Sequence, residues 1–320
     1  MENLEALHAK RAALIYNPVA RGVSRHGRSL QSSIEALKRQ GISVSLEATT
    51  GPGSATAQAR QQIETGCDLI IAAGGDGTIN EVANGMLHSN VPLAILPGGT
   101  ANVLARELHL PISIGRATAQ ISKLQLCRVS AGRLHAAGQH RIFLCMAGVG
   151  LDAEIVSRLN VDLKASTGKF AYYVAGFAQV CRPLPEFEVT VDGQNYQASF
   201  ALISRVRNYG GDLEIARGAS LLRDDFEVVL FRGTIGMRYL PYLLGVLLRR
   251  TRRMKGCTVL RGRTVTCSTA LDRVIYFQID GELSGKLPVS VEIIPDALTL
   301  LVPPEYLSRE RGFVAVPVCA

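Results

Sequence analysis

The 320-residue sequence has no tryptophan and only 9 tyrosines and 9 phenylalanines, and its basic residues are not interleaved with aromatics. A surface that stacks nucleic-acid bases is therefore not expected. No apolar stretch reaches the roughly 18 to 20 residues that a helix needs to span a bilayer. Met1-Glu2-Asn3-Leu4-Glu5 has neither the basic flank nor the apolar core of a signal peptide, so none is expected. Seven cysteines, an odd number without paired short spacing, argue against a disulfide framework and against a zinc site, and fit a reducing, cytoplasmic setting. There is no G-x-x-x-x-G-K-[ST] segment, which excludes a Walker-type phosphate loop. Low-complexity tracts and long repeats are also missing.

What is present is 47% hydrophobic and 19% charged, ordinary for a globular enzyme, in a chain long enough for two domains with separate cores. The formal charge of +8 suits an anionic partner without choosing among nucleotide, nucleic acid and acidic lipid. The most informative stretch is 69–81, where Leu-Ile-Ile-Ala-Ala stops abruptly in Gly74-Gly75-Asp76-Gly77-Thr78-Ile79-Asn80-Glu81. The apolar run reads as a strand covered on both faces. Ile79, Val82, Ala83, Met86 and Leu87 then recur with helical spacing. A strand, a glycine turn and a helix together aim backbone N–H groups at an anion, and glycines let phosphate oxygens approach. Asp76 adds a carboxylate able to meet Mg²⁺ or to order a nucleotide; a plain strand-to-helix turn is the bland alternative.

The same rhythm extends to both sides. Residues 12–16 read as a strand ending in Asn17-Pro18, and a helix follows through Leu30, Ile34 and Leu37. An alternating strand at 42–48 runs into Thr49-Thr50-Gly51-Pro52-Gly53-Ser54 and a further helix. Leu93–Leu96 is a fourth strand, stopping at Pro97-Gly98-Gly99-Thr100-Ala101-Asn102 before another helix. Strands separated by helices of this length imply a parallel sheet with its ligand at the carboxyl edge. Asn17, Thr49, Gly75 to Thr78 and Thr100 all fall on that edge.

Past residue 122 short β segments dominate. Leu124–Ser130, Arg133–Ala137 and Ile142–Ala147 read as strands, as do parts of 187–204, 226–232, 258–267, 273–279, 289–294 and 297–302. Helical patterns interrupt near 166–180 and 236–250. The expected fold class is α/β plus all-β, with a nucleotide-binding domain at 1–122 and a β-rich domain at 123–320, whose last residues are allowed to pack back on the first.

Three further stretches carry candidate acids or cations. Gly148-Val149-Gly150-Leu151-Asp152-Ala153 matches a G-x-G-x-x-A dinucleotide fingerprint only weakly, and Asp152 reads equally well as a helix cap. Asp280-Gly281-Glu282 follows an alternating strand. Asp280 is best explained as a hairpin turn, as Asp192-Gly193 is elsewhere, but phosphoryl transfer to an alcohol needs a carboxylate to accept the hydroxyl proton, and Glu282 is placed to supply it. Residues 237–255 run from apolar side chains into five cations, which fits either an anionic membrane surface or an ordinary docked helix.

Taken in order from about residue 11 to residue 303, the strand-end motifs, the 148–153 stretch and Asp280-Gly281-Glu282 resemble the soluble diacylglycerol kinase catalytic-domain family. That family includes bacterial lipid kinases and the sphingosine and ceramide kinases. The resemblance implies a fold related to NAD kinase, with an N-terminal parallel-sheet domain, a β-sandwich-like second domain and the active site in the cleft between them. It also implies ATP and Mg²⁺ as cofactors. Asn17, Thr49, the stretch Gly74, Gly75, Asp76, Gly77, Thr78, Ile79, Asn80 and Glu81, and Thr100 are then nucleotide-binding. Glu282 becomes the proton acceptor and Asp152 the acid facing the lipid hydroxyl, with Lys169 near the phosphates. One stretch departs: where the family has a structural Mg²⁺ turn, Arg223 stands in the metal aspartate's place. Either Asp224 or Asp225 substitutes, or the site is absent. The expected partners are ATP and a lipid at a membrane surface, with a homodimer allowed and nucleic acid not. The rivals are an NAD kinase, a non-catalytic nucleotide- or lipid-binding regulator and, more distantly, a dinucleotide-dependent oxidoreductase.

Overall fold

The apolar run at 69–73 is a strand, Leu69–Gly74, buried along its whole length between two parallel neighbours. Burial on both faces is why its sequence does not alternate. The computed structural model describes residues 9–24, 27–136, 138–151, 153, 184–210, 213–233, 254–269 and 273–314. The chain divides into two compact units, Met1–Ala131 with Pro295–Ala320, and Gly132–Ile294.

The first unit contains β1 (Arg11–Tyr16), α1 (Arg21–Ser24), α2 (Gly27–Arg39), β2 (Ser43–Ala48), α3 (Ser54–Glu64), β3 (Leu69–Gly74), α4 (Asp76–Gly85), β4 (Pro92–Pro97), α5 (Val103–Glu107) and α6 (Ile114–Gln120). Strand β5 (Gln125–Ala136) leads out of it. The second unit continues with β6 (Gln139–Phe143), β7 (Met146–Gly150), β8 (Phe187–Val191), β9 (Gln194–Ala198), β10 (Phe200–Ser204), β11 (Asn208–Tyr209), β12 (Leu213–Glu214), β13 (Phe226–Phe231), β14 (Cys257–Gly262), β15 (Thr264–Ser268), β16 (Tyr276–Ile279) and β17 (Glu282–Lys286). Strand β18 (Val289–Val302) returns the chain to the first unit, where α7 (Pro304–Val314) follows.

In the first unit the strand order is β2-β1-β3-β4-β18, parallel throughout. The chain leaves β1 for β2 on one side, then crosses back to place β3 on the other side of β1 and β4 beyond it. The connections from β1 and β3 thus diverge, which opens a crevice outside the carboxyl ends of these two strands.

In the second unit an antiparallel sheet, β14-β13-β10-β7-β16-β17, shares one core with β5, β8, β15 and the first half of β18. Phe143, Phe187, Phe226 and Phe277 fill the space between the layers, packed among Val149, Val189, Val228, Val265 and Val291. Fully burying each large apolar side chain contributes about 1.5–3 kcal/mol, and both layers supply alternate residues to this core, as a sandwich demands.

Three sequence expectations change. Where two strands were expected at 124–130 and 133–137, the single strand β5 covers Gln125–Ala136, and 289–294 with 297–302 form the single strand β18, which runs on through Asp296 at a positive φ of 47°. Gly148-Val149-Gly150 is not a phosphate turn: it is strand β7, bonded to β10 on one side and β16 on the other. The two ladders take up the backbone groups that a dinucleotide site would have to present. The helical patterns at 166–180 and 236–250, with Asp152 and Lys169, lie outside the described residues. Among the described residues no helix is long and apolar enough to cross a membrane.

Candidate active site

The register of the parallel sheet sets the site. Tyr16 lies opposite both Ala48 and Ala73, and Gly74 lies opposite Pro97. Asn17, Thr49, Gly75 and Gly98 are therefore the first residues beyond four adjacent strand ends, with Asn17 and Thr49 level with Gly74, and Gly75 and Gly98 one residue further along. At the crevice between β1 and β3, the Asn17 N–H donates to the Ala73 carbonyl at 3.0 Å, and Asn17 Nδ2 lies 3.5 Å from Thr78 Oγ1. The Asn17 side chain also accepts from the Val19 N–H at 3.0 Å, which turns the chain away from the sheet. The Thr49 N–H is held by the Tyr16 carbonyl at 2.9 Å.

Helix α4 begins at Asp76, sooner than the apolar spacing implies, with Gly75 as an extended N-cap that supplies no side chain. Intrahelical bonding starts with the Ile79 N–H on the Gly75 carbonyl at 3.1 Å. Gly77 and Thr78 thus lie in the first turn, whose amides have no carbonyl inside the helix to bond and which carries the positive end of the helix dipole.

The two glycine turns serve each other. The Gly98 N–H bonds the Gly74 carbonyl at 2.7 Å, the Gly22 N–H bonds the Gly98 carbonyl at 2.8 Å, and a Cβ on Gly99 would lie 2.6 Å from the Gly75 Cα. Asn102, at a φ of 49°, braces the second turn by accepting from the Gly99 N–H at 2.8 Å and donating to the Gly99 carbonyl at 2.9 Å. The second turn is therefore a buttress that spends its own amides internally. Gly22 and Asn102 belong to this construction although the sequence reading did not single them out as site residues. Gly22 carries no local signal, whereas Asn102 ends the Pro97–Asn102 stretch that follows β4.

The remaining residues of the 74–81 stretch have structural partners. Asp76 Oδ1 accepts from the Leu104 N–H at 3.3 Å, so the carboxylate also caps α5. Ile79 and Asn80 are each 1% exposed and serve the core. Glu81 turns to the start of α3, where Oε2 accepts from the Ala55 N–H at 3.3 Å and its carbonyl accepts from the Thr56 hydroxyl at 2.8 Å. Thr100 is exposed beyond the end of β4.

In the second unit Asp280-Gly281 is a hairpin turn between β16 and β17. Both residues have positive φ, 46° and 84°, the geometry of a two-residue type I′ loop. The Asp280 carboxylate accepts the N–H groups of Leu144, Cys145 and Met146 at 3.1, 3.0 and 2.9 Å. It is a structural acid of the turn. Glu282, the next residue but one, is exposed, and Arg141 Nη2 on β6 donates to its Oε2 at 2.8 Å. Arg141 was not foreseen, because the two residues lie 141 positions apart in sequence.

The 220–225 stretch does not fit a structural Mg²⁺. Asp225 takes two bonds from Arg223, at 2.9 and 2.7 Å, and one from Arg261 at 2.8 Å, while Arg205 binds the Asp225 carbonyl at 2.9 Å. Guanidinium groups occupy both oxygens that a cation would need. Asp224 is exposed, and among the described residues no group of three or more His, Cys, Asp or Glu side chains converges on a metal position. Burial pushes the Asp225 carboxyl up, but the Arg223 hydrogen bonds and the charges of Arg261, Arg223 and Arg205 together hold it below its ordinary value. Its folded value is thus depressed, so the stabilisation is complete above pH 3.8 and is lost as pH falls through the lower folded value. Replacing Asp225 by Ala should cost about 2 kcal/mol, less than a fully buried pair because the three side chains remain partly exposed. Urea titrations at pH 7 and pH 3 would check this, since the difference between wild type and variant should shrink in acid.

With this geometry in place, comparison with known proteins becomes informative. The diacylglycerol kinase catalytic domain matches residues 11–134. The YegS C-terminal NAD kinase beta sandwich-like domain matches residues 145–302. The chain belongs to the diacylglycerol kinase catalytic-domain family. It is a lipid kinase by that membership, with ATP as the family's phosphoryl donor. A relative named diacylglycerol kinase in Staphylococcus saprophyticus is 29% identical over 306 residues, covering 94% of this chain and 98% of that one. A Staphylococcus epidermidis protein of the same name is 28% identical over 306 residues, covering 94% and 95%. A crystal structure of a diacylglycerol kinase from Bacillus anthracis str. Sterne shares the fold, with a TM-score of 0.72 at 24% identity over 93% of this chain and 99% of that one.

Proposed function

We propose that this lipid kinase binds the phosphates of MgATP at the crevice between β1 and β3 and uses Glu282 to accept the proton of a lipid hydroxyl. The oxygen so released forms a bond to the γ-phosphorus as the bond to the β–γ bridging oxygen breaks, and ADP departs. The observation that carries the nucleotide half of this reading is that Asn17, Thr49 and Gly75 each follow the carboxyl end of a neighbouring strand at a topological switch point, with Asn17 Nδ2 3.5 Å from Thr78 Oγ1. The amides and hydroxyl in the first turn of α4 lie toward incoming phosphate, where the helix dipole favours negative charge. Positioning and electrostatics carry most of the catalysis in phosphoryl transfer. Arg141 is a positioning residue for Glu282, since its bond to Oε2 limits the rotamers of a side chain on an exposed strand. Asp152 is assigned the lipid side of the reaction by family analogy.

The acceptor is proposed to be diacylglycerol or a sphingoid- or ceramide-type lipid, the first being the substrate class for which the Staphylococcus relatives are named. An acceptor of this kind resides in a membrane, so a cytoplasmic protein acting at the membrane surface is the matching location. The test is labelled ATP offered to vesicles of each lipid and, separately, to NAD, with products identified by mass spectrometry. A phosphorylated lipid supports the reading. Label on NAD alone, or firm ATP binding with no transfer to any lipid, overturns it.

A further inference from the structure

Besides Arg141, the β5–β6 hairpin carries a second cluster of ionisable side chains to which the kinase reading gives no task. His135 and His140 are directly opposite one another in the ladder, and their Nδ1 atoms lie 2.8 Å apart. The rings meet edge to face, with centroids 4.9 Å apart and planes at 76°. The other ring nitrogen of His135, Nε2, is 3.0 Å from Glu292 Oε1 on β18, and Arg133 Nη1 holds the same carboxylate oxygen at 3.2 Å. Both histidines reach solvent.

This arrangement selects a tautomer. The Glu292 carboxylate can only accept, so His135 must carry its proton on Nε2, which leaves the Nδ1 lone pair directed at His140 in the neutral ring. A carboxylate behind a histidine whose far nitrogen faces outward is the arrangement that orients imidazole toward a metal.

We propose that His135 Nδ1 and His140 Nδ1 form a two-histidine chelate for a borderline transition-metal dication such as Zn²⁺, with water completing the coordination. The hairpin already brings the two nitrogens close. Tetrahedral zinc with bonds of about 2.0–2.1 Å needs its ligands about 3.3 Å apart, so the pair opens by about half an ångström as the metal takes the place of the shared proton, which passes through solvent to His140 Nε2. Imidazole nitrogen suits Zn²⁺, Ni²⁺ or Cu²⁺ and not the hard Mg²⁺ that accompanies ATP. The exclusion of zinc drawn from cysteine spacing does not reach this pair, because its ligands are histidines. Two protein ligands make a site open to exchange with solvent metal rather than a closed structural cage.

The experiment is calorimetric titration of chelator-treated full-length protein with ZnCl₂ and, separately, MgCl₂, at pH 7.5. The expected result is one zinc per chain and no Mg²⁺ heat at this site. Glu292→Gln should weaken zinc about 10- to 100-fold by freeing the His135 ring, and His135→Gln combined with His140→Gln should abolish the binding. On the unaltered protein, imidazole nitrogen NMR should show the Nδ1 signals of two histidines moving together with added zinc, which keeps the test independent of how the variants fold. Undetectable zinc binding, unchanged affinity in the double variant, or movement of other histidines only would overturn the proposal. None of these readouts depends on lipid phosphorylation, so failure here leaves the kinase assignment standing, and the reverse holds too.

Discussion

Glu282→Gln should lower lipid phosphorylation by about 10²–10⁴-fold, the usual scale for removing a positioned general base. The amide keeps the size of the side chain and can still accept a bond from Arg141 through its oxygen, so β17 should be undisturbed. ATP affinity, read by calorimetry, should stay close to that of the unaltered protein because the strand-end residues assigned to phosphate belong to the other unit. This split between turnover and binding distinguishes a base from a residue that merely supports the fold. Arg141→Ala should give a smaller loss of turnover, since it loosens the carboxylate without removing it. Full activity in Glu282→Gln would transfer the proton-accepting role to another acid.

Gly99→Ala should have the largest effect on nucleotide binding for a single added methyl group. Its Cβ would sit 2.6 Å from the Gly75 Cα and 3.1 Å from Asn102 Oδ1, so the two turns must separate or the Asn102 brace must break. Overpacking of this kind costs about 1–3 kcal/mol. If that falls on the ATP-bound geometry, affinity drops by about 10- to 100-fold. Equilibrium ATP binding together with circular dichroism would check it: the spectrum should persist while the affinity falls. Unchanged affinity would mean that the spacing of the two turns is irrelevant to the nucleotide. Asp76 is a less decisive target, because its carboxylate also caps α5 and any substitution there mixes two effects.

The parallel half of the molecule was legible because its physics is local. Buried strands declare themselves as apolar runs, and each strand end announces itself with glycine, proline or a small polar residue. The glycines themselves carried an ambiguity that local reading does not resolve. The same lack of a side chain that admits phosphate also lets Gly74 and Gly75 pack against Gly98 and Gly99, and only the register of β3 and β4 reveals the second use. In the β half, segment existence was read correctly more often than segment joining. β5 and β18 each look broken in sequence because glycine or proline falls within them, and both strands run through. The dinucleotide-like Gly148-Val149-Gly150 misled for a related reason: its neighbours in the sheet, β10 and β16, are distant in sequence. Arg141 beside Glu282, and Arg205 and Arg261 around Asp225, were invisible because charge pairing between distant segments leaves no periodic trace.

Strand β18 leaves one consequence for how the chain is made. Thr299 and Leu300 pair with Pro92 and Leu93, so the last strand of the N-terminal sheet is supplied by residues synthesised some 200 positions later. During translation, β4 waits as an open edge until Thr299 and Leu300 have emerged from the ribosome. Non-local closure of this kind is slow and leaves a sticky strand uncovered in the meantime. A protein shortened just before residue 295 would keep every residue of the phosphate crevice yet carry that uncovered edge permanently, and would be expected to collect in inclusion bodies rather than in the soluble fraction.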